Sequence, residues 1–148
     1  MEKPKWIDAL TGTMKIDPDQ YSPVVSTSRK ASLGYAIAGW LYMLRRQKNT
    51  RIQAVASLGA IVLSLWLQID LLSWAMIILA ITIVWMAEFL NAAVEAAVNV
   101  ATAELHPMAK VGKDVASAAV LLGVVASVMI GLLVLGPPLL ARVGITIR

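Results

Sequence analysis

Three long stretches of this chain carry no charge at all. None lies between Arg51 and Asp70 over 18 residues, between Asp70 and Glu88 over 17, or between Asp114 and Arg142 over 27. A helix needs about 20 mostly apolar residues to cross the hydrocarbon core of a bilayer. The first two stretches are close to that limit and the third exceeds it. The pattern predicts an all-α integral membrane protein with spans at about 52–69, 71–100 and 114–135. A soluble bundle would need polar residues to coat its surface, and 59% of the 148 residues are hydrophobic, with a mean hydropathy of +0.74. With no cysteine and one histidine, thiol chemistry, disulfides and a classical zinc site are not expected.

Charge placement orients the spans. Residues 28–51 hold Arg29, Lys30, Arg45, Arg46, Lys48 and Arg51 and no acid. The 99–113 connection adds Lys110 and Lys113, whereas the Gln68–Asp70 turn has no cation. The positive-inside rule places the N-terminus and the 99–113 connection in the cytoplasm. A basic patch beside membrane spans meets anionic lipid rather than nucleic acid, so no nucleic-acid partner is expected.

Residues 1–27 read as a flexible, mixed-charge cytoplasmic tail, broken by Pro4, Pro18 and Pro23, with a turn at Asp17-Pro-Asp19. The first 30 residues are too charged for a cleavable signal peptide. In 28–46, Leu33, Ile37, Trp40, Leu41 and Leu44 share one helical face, with cations at both ends. This predicts an amphipathic helix on the inner membrane surface, serving either as an anchor or as the wall of a site. Ser73 is a candidate cap for the second span, and Trp66 and Trp74 flank the turn before it. Glu104-Leu105-His106-Pro107 is expected to end or kink that span. Lys113-Asp114 is expected to open the third, and Gly136-Pro137-Pro138 to stop it, leaving 136–148 as a short tail.

The chemistry concentrates where the second span turns polar. Taking Glu88 as zero, Asn91, Glu95 and Asn99 fall at about 300°, 340° and 20° around a helix. Amides on such a stripe can simply bond neighbouring helices. Glutamates explain less well as glue, because the same bonds could be made without desolvating charge. Lys113-Asp114 lies at the same membrane surface. A lysine beside carboxylates there suits Mg²⁺ and a nucleotide phosphate, and a further carboxylate could take a proton from an attacking hydroxyl. Snorkelling and charge placement at a helix start remain the plain reading of Lys113-Asp114. No P-loop or glycine-rich phosphate cradle is present.

These residues also form a recognisable pattern. Glu88-Phe-Leu-Asn91-Ala-Ala-Val-Glu95 and Glu104-Leu105-His106-Pro-Met-Ala-Lys-Val-Gly-Lys113-Asp114 closely resemble the prokaryotic diacylglycerol kinase family, which includes the undecaprenol kinases. The family pattern is E-x-x-N-S/T-A-I/V-E followed by E-x-H-x-x-A-x-x-x-K-D. The likeness extends upstream through Tyr35, Gly39 and Asn49-Thr-Arg51-Ile, covering about residues 29–135. It implies a homotrimeric three-span kinase in the bacterial inner membrane, N-terminus cytoplasmic, with sites shared between subunits. Its membrane lipid kinase domain would occupy 28–135. ATP is the implied co-substrate, Mg²⁺ the cofactor and a membrane lipid alcohol the acceptor, either diacylglycerol or undecaprenol.

By the same resemblance Glu88 is the general base, and Asn91 is the conserved amide of the site. Glu95 is a Mg²⁺ ligand, with Gln47 at the position of a second. Tyr35, Gln47, Glu95, Glu104, Leu105, His106, Lys113 and Asp114 contact the metal-bound nucleotide. The chain departs from the pattern at four places: Gln47 stands for a usual Glu, Asn99 for Asp, Gln53 for His or Glu, and Ala92 for Ser or Thr. The alternatives are a catalytically degenerate homologue acting as a non-enzymatic membrane protein, and a small channel built on Glu88 and Glu95. The short spans do not readily enclose a site alone, and Ala92, Ala93, Ala96 and Ala97 offer a surface for self-association.

Overall fold

The computed structural model describes residues 28–102, 104 and 106–144. The expected tail over 1–27, Leu105 and the last four residues lie outside them. The described residues form four helices and no strand: α1 (Arg29–Arg46), α2 (Lys48–Leu67), α3 (Leu71–Ala101) and α4 (Pro107–Arg142). The chain falls into two compact units, one ending at Leu41 and the other running from Tyr42 to its C-terminus. The first unit's described part is the opening of α1, on which Leu33, Tyr35, Ile37 and Trp40 are exposed. The second unit holds α2, α3 and α4, each long and apolar enough to cross a membrane.

Within that unit α3 and α4 make the most extensive contact. Gly123 is buried where they meet, and the nearest atom to a Cβ added there would be the Ala87 Cβ at 3.6 Å. Small residues let transmembrane helices approach closely, since lipid tails supply no hydrophobic drive between helices. The buried cluster is small, comprising Leu67, Ile77 and Leu135 at the Asp70 end. Outward positions such as Val55, Leu58, Leu79, Leu122 and Leu132 stay exposed, as expected for surfaces that meet acyl chains.

The structure revises three boundaries. The first concerns the cap of α3, which is Asp70 rather than Ser73. Asp70 Oδ1 accepts from the Leu72 and Ser73 amides at 2.9 and 3.1 Å, and the Ser73 hydroxyl donates to Oδ2 at 2.6 Å. A carboxylate two or three residues ahead of orphan amides reaches them better than a hydroxyl already inside the first turn.

The second concerns α4, which begins at Pro107, two turns before Lys113. Proline suits the first helical position, where no amide bond is needed, and His106 Nδ1 caps it by accepting from the Met108 amide at 3.2 Å. Lys110, Lys113 and Asp114 are therefore on a helix, not a loop.

The third is the far end of α4, which runs through Pro137 and Pro138 to Arg142 instead of stopping at Gly136. Two amide donors are lost there, but the last turn is anchored from outside. Leu139 packs on the buried cluster, and the Arg142 guanidinium lies 5.1 Å from the centre of the Trp66 ring while Nη2 donates to the Trp66 carbonyl at 3.1 Å. Membrane helices tolerate proline where neighbours satisfy the freed groups.

Candidate active site at the polar end of α3 and α4

Depth follows from helix geometry. At 1.5 Å per residue, Glu88 lies about 26 Å from Leu71 along the α3 axis, and Glu95 about 36 Å. A hydrocarbon core of about 30 Å that begins near Leu71 therefore ends between them. Glu88 sits just inside the boundary and Glu95 just outside.

Glu88 is buried at 3% exposure, so it faces protein rather than acyl chains. Asn49 and Gln53, one turn apart on α2, lie close to its carboxylate, and so does Glu95. One oxygen of Glu88, Oε2, is buried and makes no hydrogen bond among the described residues. The same holds for Gln53 Oε1 and for the hydroxyl of Thr50, which is fully buried.

The outer part of the stripe meets α4. Lys113 Nζ donates to Asn99 Oδ1 at 2.7 Å. Asn91 Nδ2 donates to Glu95 Oε1 at 3.4 Å, and the Ser117 hydroxyl reaches Asn91 Oδ1 at 3.5 Å, both long contacts. Asp114 is paired with Lys110 along α4 itself, so its side chain and that of Lys113 take different partners. The cation of Lys113 is thus held by a neutral amide rather than neutralised by a carboxylate. Glu95 likewise bonds an amide, and no ion pair of Glu95 occurs among the described residues.

The remaining predicted residues are more scattered. Glu104 is exposed, and its backbone amide donates to the Thr102 hydroxyl at 3.1 Å. His106 is exposed and spends Nδ1 on its cap. Val98, Glu104, His106, Lys110, Lys113 and Asp114 border an open depression of about 580 Å³ at this end. Gln47 is half-buried at the start of α2, where its side chain makes no capping bond. Tyr35 is exposed on α1 in the first unit. Sequence reasoning passed over Thr50 and Ser117, and gave Asn49 no role of its own. A neutral residue among many carries little signal until the partner helix is in place.

The donor set suits a hard cation. No group of three or more His, Cys, Asp or Glu occurs among the described residues. Mg²⁺ needs only one or two protein carboxylates when phosphates and water complete its shell. Glu95 has one oxygen outside its contact with Asn91, and the Gln47 side chain is not committed to a cap.

Comparison with known proteins identifies the family. The profile of the prokaryotic diacylglycerol kinase family matches residues 34–135. A diacylglycerol kinase of Synechocystis sp. is 34% identical over 118 residues, covering 79% of this chain and 67% of its own. The undecaprenol kinase of Bacillus subtilis is 34% identical over 95 residues, covering 64% and 77%. A diacylglycerol kinase of Escherichia coli K12 is 32% identical over 96 residues, covering 65% and 79%. The polar ends of α3 and α4, with all the residues bonded there, lie inside the matched region, and the chain is a membrane protein that belongs to the prokaryotic diacylglycerol kinase family.

Proposed function

We propose that the protein is a membrane lipid kinase that transfers the γ-phosphoryl group of MgATP to the hydroxyl of a membrane lipid. The observation that carries this is Glu88: a buried carboxylate near the polar end of α3, with Oε2 left without a partner among the described residues. A lipid hydroxyl is confined to that depth, whereas ATP stays in water. A site joining them has to be built from helix ends at the boundary.

Each residue then has a task. The acceptor hydroxyl donates to Glu88 Oε2, which takes its proton as the oxygen attacks the γ-phosphorus and the bond to ADP breaks. Lys113, held by a neutral amide, keeps its full charge for the phosphoryl oxygens. Asn91 steadies Glu95. Glu95, with Gln47, would hold Mg²⁺, whose charge neutralises the β- and γ-phosphoryl oxygens when it is bound. Exposed Glu104 and His106 line the depression that suits the rest of the nucleotide. Tyr35, Leu105 and Asp114 are assigned to the nucleotide by resemblance.

Phosphoryl transfer asks mainly for positioning and charge neutralisation, so a short polar stripe suffices. The exposed Ala93, Ala96 and Ala97 give α3 a face on which copies of the chain can associate, and a homotrimer in the bacterial inner membrane with a cytoplasmic N-terminus is the assembly proposed.

The test uses purified protein in mixed micelles with γ-labelled ATP, Mg²⁺ and lipid alcohols. Label is expected in lipid. Glu88→Gln is expected to reduce transfer by about 100-fold or more with an unchanged melting temperature, and Glu95→Gln to raise the Mg²⁺ concentration required. Folded protein that labels no lipid, or a Glu88→Gln variant of full activity, would sink the reading.

A further inference from the structure

The seam between α2 and α3 carries a polar contact about one turn deeper than Glu88. Trp85 Nε1 donates to Ser57 Oγ at 3.0 Å, and both side chains are partly buried. Ser64 and Thr82 bond within their own helices, each donating to the carbonyl one turn back, at Ala60 and Ile78, both at 2.8 Å. That is the usual outlet for a hydroxyl inside an apolar helix. Ser57 instead receives a donor from a neighbouring helix. By helix rise, Trp85 lies about 21 Å from Leu71. At that depth no water competes for an indole N–H, which has to find a partner in the protein.

Two pairs of side chains meet in register across this seam. On α3, Trp85 precedes Glu88 by three residues. α2 leads into α3 through the 68–70 turn and runs the opposite way, and on it Ser57 follows Gln53 by four. Residues so spaced share one face of a helix. Gln53 lies close to the Glu88 carboxylate, as Asn49 does, and Ser57 bonds Trp85. Gln53, Ser57 and Val84 also border a single groove. The Trp85 ring packs against Phe89, the residue after Glu88, with centroids 6.1 Å apart. Trp85 therefore touches α2 on one side and the turn that carries Glu88 on the other.

α2 needs such a tie more than α4 does. α3 and α4 pack extensively, whereas α2 rests on both more lightly. Lipid tails give helices no hydrophobic drive to associate, so a lightly packed helix is held in rotation and depth by specific contacts. A turn of α2 about its axis, or a slide along α3, would carry Asn49 and Gln53 away from Glu88. The Trp85–Ser57 bond opposes both motions, because a hydrogen bond weakens steeply as its length and angle depart from the optimum.

We propose that Trp85 and Ser57 are positioning residues for the Glu88 carboxylate. Their bond fixes the face of α2 that flanks Glu88, and with it the direction in which Oε2, unbonded among the described residues, is presented to an acceptor hydroxyl. This rests on the lipid-kinase reading and adds to it two residues that act through Glu88 without touching substrate. Reacting geometry is sensitive to such support, since a misplacement of about 1 Å can reduce a rate by about 100-fold.

The experiment measures kcat and the KM for ATP by label transfer in the same mixed micelles, with melting temperatures recorded. It uses the unaltered protein, Ser57→Ala, Ser57→Thr and Trp85→Phe, and repeats Ser57→Ala and Trp85→Phe in a Glu88→Gln background. Ser57→Ala and Trp85→Phe are each expected to lower kcat by about tenfold, as for a partial misplacement, with the KM for ATP unchanged. Ser57→Thr keeps the hydroxyl and is expected to keep kcat. Combining Ser57→Ala with Trp85→Phe should lower kcat no further than either alone, since both remove the same bond. In the Glu88→Gln background neither change should lower the residual rate further, because the carboxylate it steadies is gone. Should Ser57→Ala not fold, Trp85→Phe, which keeps a ring against Phe89, decides the question alone. Full kcat in the folded variants, or the same tenfold loss in the Glu88→Gln background, overturns the proposal and leaves the kinase reading intact. Folded unaltered protein that labels no lipid removes the kinase reading and the proposal with it.

Discussion

The two ends of the α2–α4 unit are built on opposite principles. At the Asp70 end polar groups find close partners. Asp70 caps α3 with three hydrogen bonds, the Arg142 guanidinium closes α4 over Trp66, and Leu67, Ile77 and Leu135 are buried together. At the Glu88 end partners are long, neutral or missing. Lys113 rests on an amide, Glu95 contacts Asn91 at 3.4 Å, and three buried oxygens bond nothing among the described residues. Stability is concentrated at one end and unspent bonding capacity at the other. Natural chains break local rules of polar satisfaction mainly where a ligand will complete them.

The contrast predicts a clean division of phenotypes. The largest effect belongs to Lys113. Replacing it with Met keeps the length and removes the charge, and kcat/KM for ATP is expected to fall by about 100-fold, as for loss of one preorganised charged donor. The melting temperature should hardly move, because the lost bond is exposed. A large loss of stability with normal nucleotide kinetics would show that Lys113 is a strut and would erase the distinction between the ends.

The opposite result is expected at Arg142. Arg142→Met removes a ring contact and a hydrogen bond to the end of α2, together about 1–2 kcal/mol. The melting temperature should drop by a few degrees while kcat and KM stay unchanged. Thermal unfolding followed by circular dichroism checks the first part, and the labelled-ATP assay checks the second.

Asp70 sharpens the comparison through pH. The Ser73 hydroxyl, with the amides of the first turn, holds its carboxyl below the ordinary value of 3.8. A group whose folded value is depressed contributes stability above its unfolded value and loses it as pH falls through the folded one. Asp70→Ala should therefore melt lower than the unaltered protein at about pH 7, and the gap should narrow as pH falls below the ordinary value of 3.8. A gap that is constant with pH would mean that the cap acts through shape rather than charge.

Much of this was readable from residue order. Charge-free runs gave three helices able to span a membrane, and apolar periodicity gave α1. The Glu88–Asn99 stripe gave the polar face of α3, and its motif spacing gave the family. What escaped depended on contacts between helices or on competition among neighbours. Gly136-Pro137-Pro138 looks like a stop, and it is overridden because Arg142, four residues on, is fastened to a helix distant in sequence. Pro107 looked like a breaker and is a start, a role that its place just after a histidine able to cap could have suggested. The partnership of Lys113 with Asn99 requires the register between α3 and α4. The burial of Thr50 depends on what packs over the start of α2. No periodicity in a single helix encodes either.

The smallest expected effect lies at the inner edge of the Glu88 end, where Gly123 of α4 packs on Ala87 and Val84 of α3. Gly123 invites the view that only hydrogen fits there. The geometry says otherwise, since a Cβ at this position would stand 3.6 Å from Ala87 Cβ and 3.7 Å from the nearest Val84 atoms, ordinary contact distances. Alanine also reduces the freedom of the unfolded chain, worth about 0.4–1 kcal/mol at a compatible helical site. Gly123→Ala should thus be neutral or slightly more stable in micelles and fully active. Gly123→Leu, which has to push α3 and α4 apart, should lose stability and activity together, because the contacts of Lys113 with Asn99 and of Ser117 with Asn91 depend on that register. If alanine already separated the two helices, the junction would be tighter than these distances allow, and the two ends could not be varied independently.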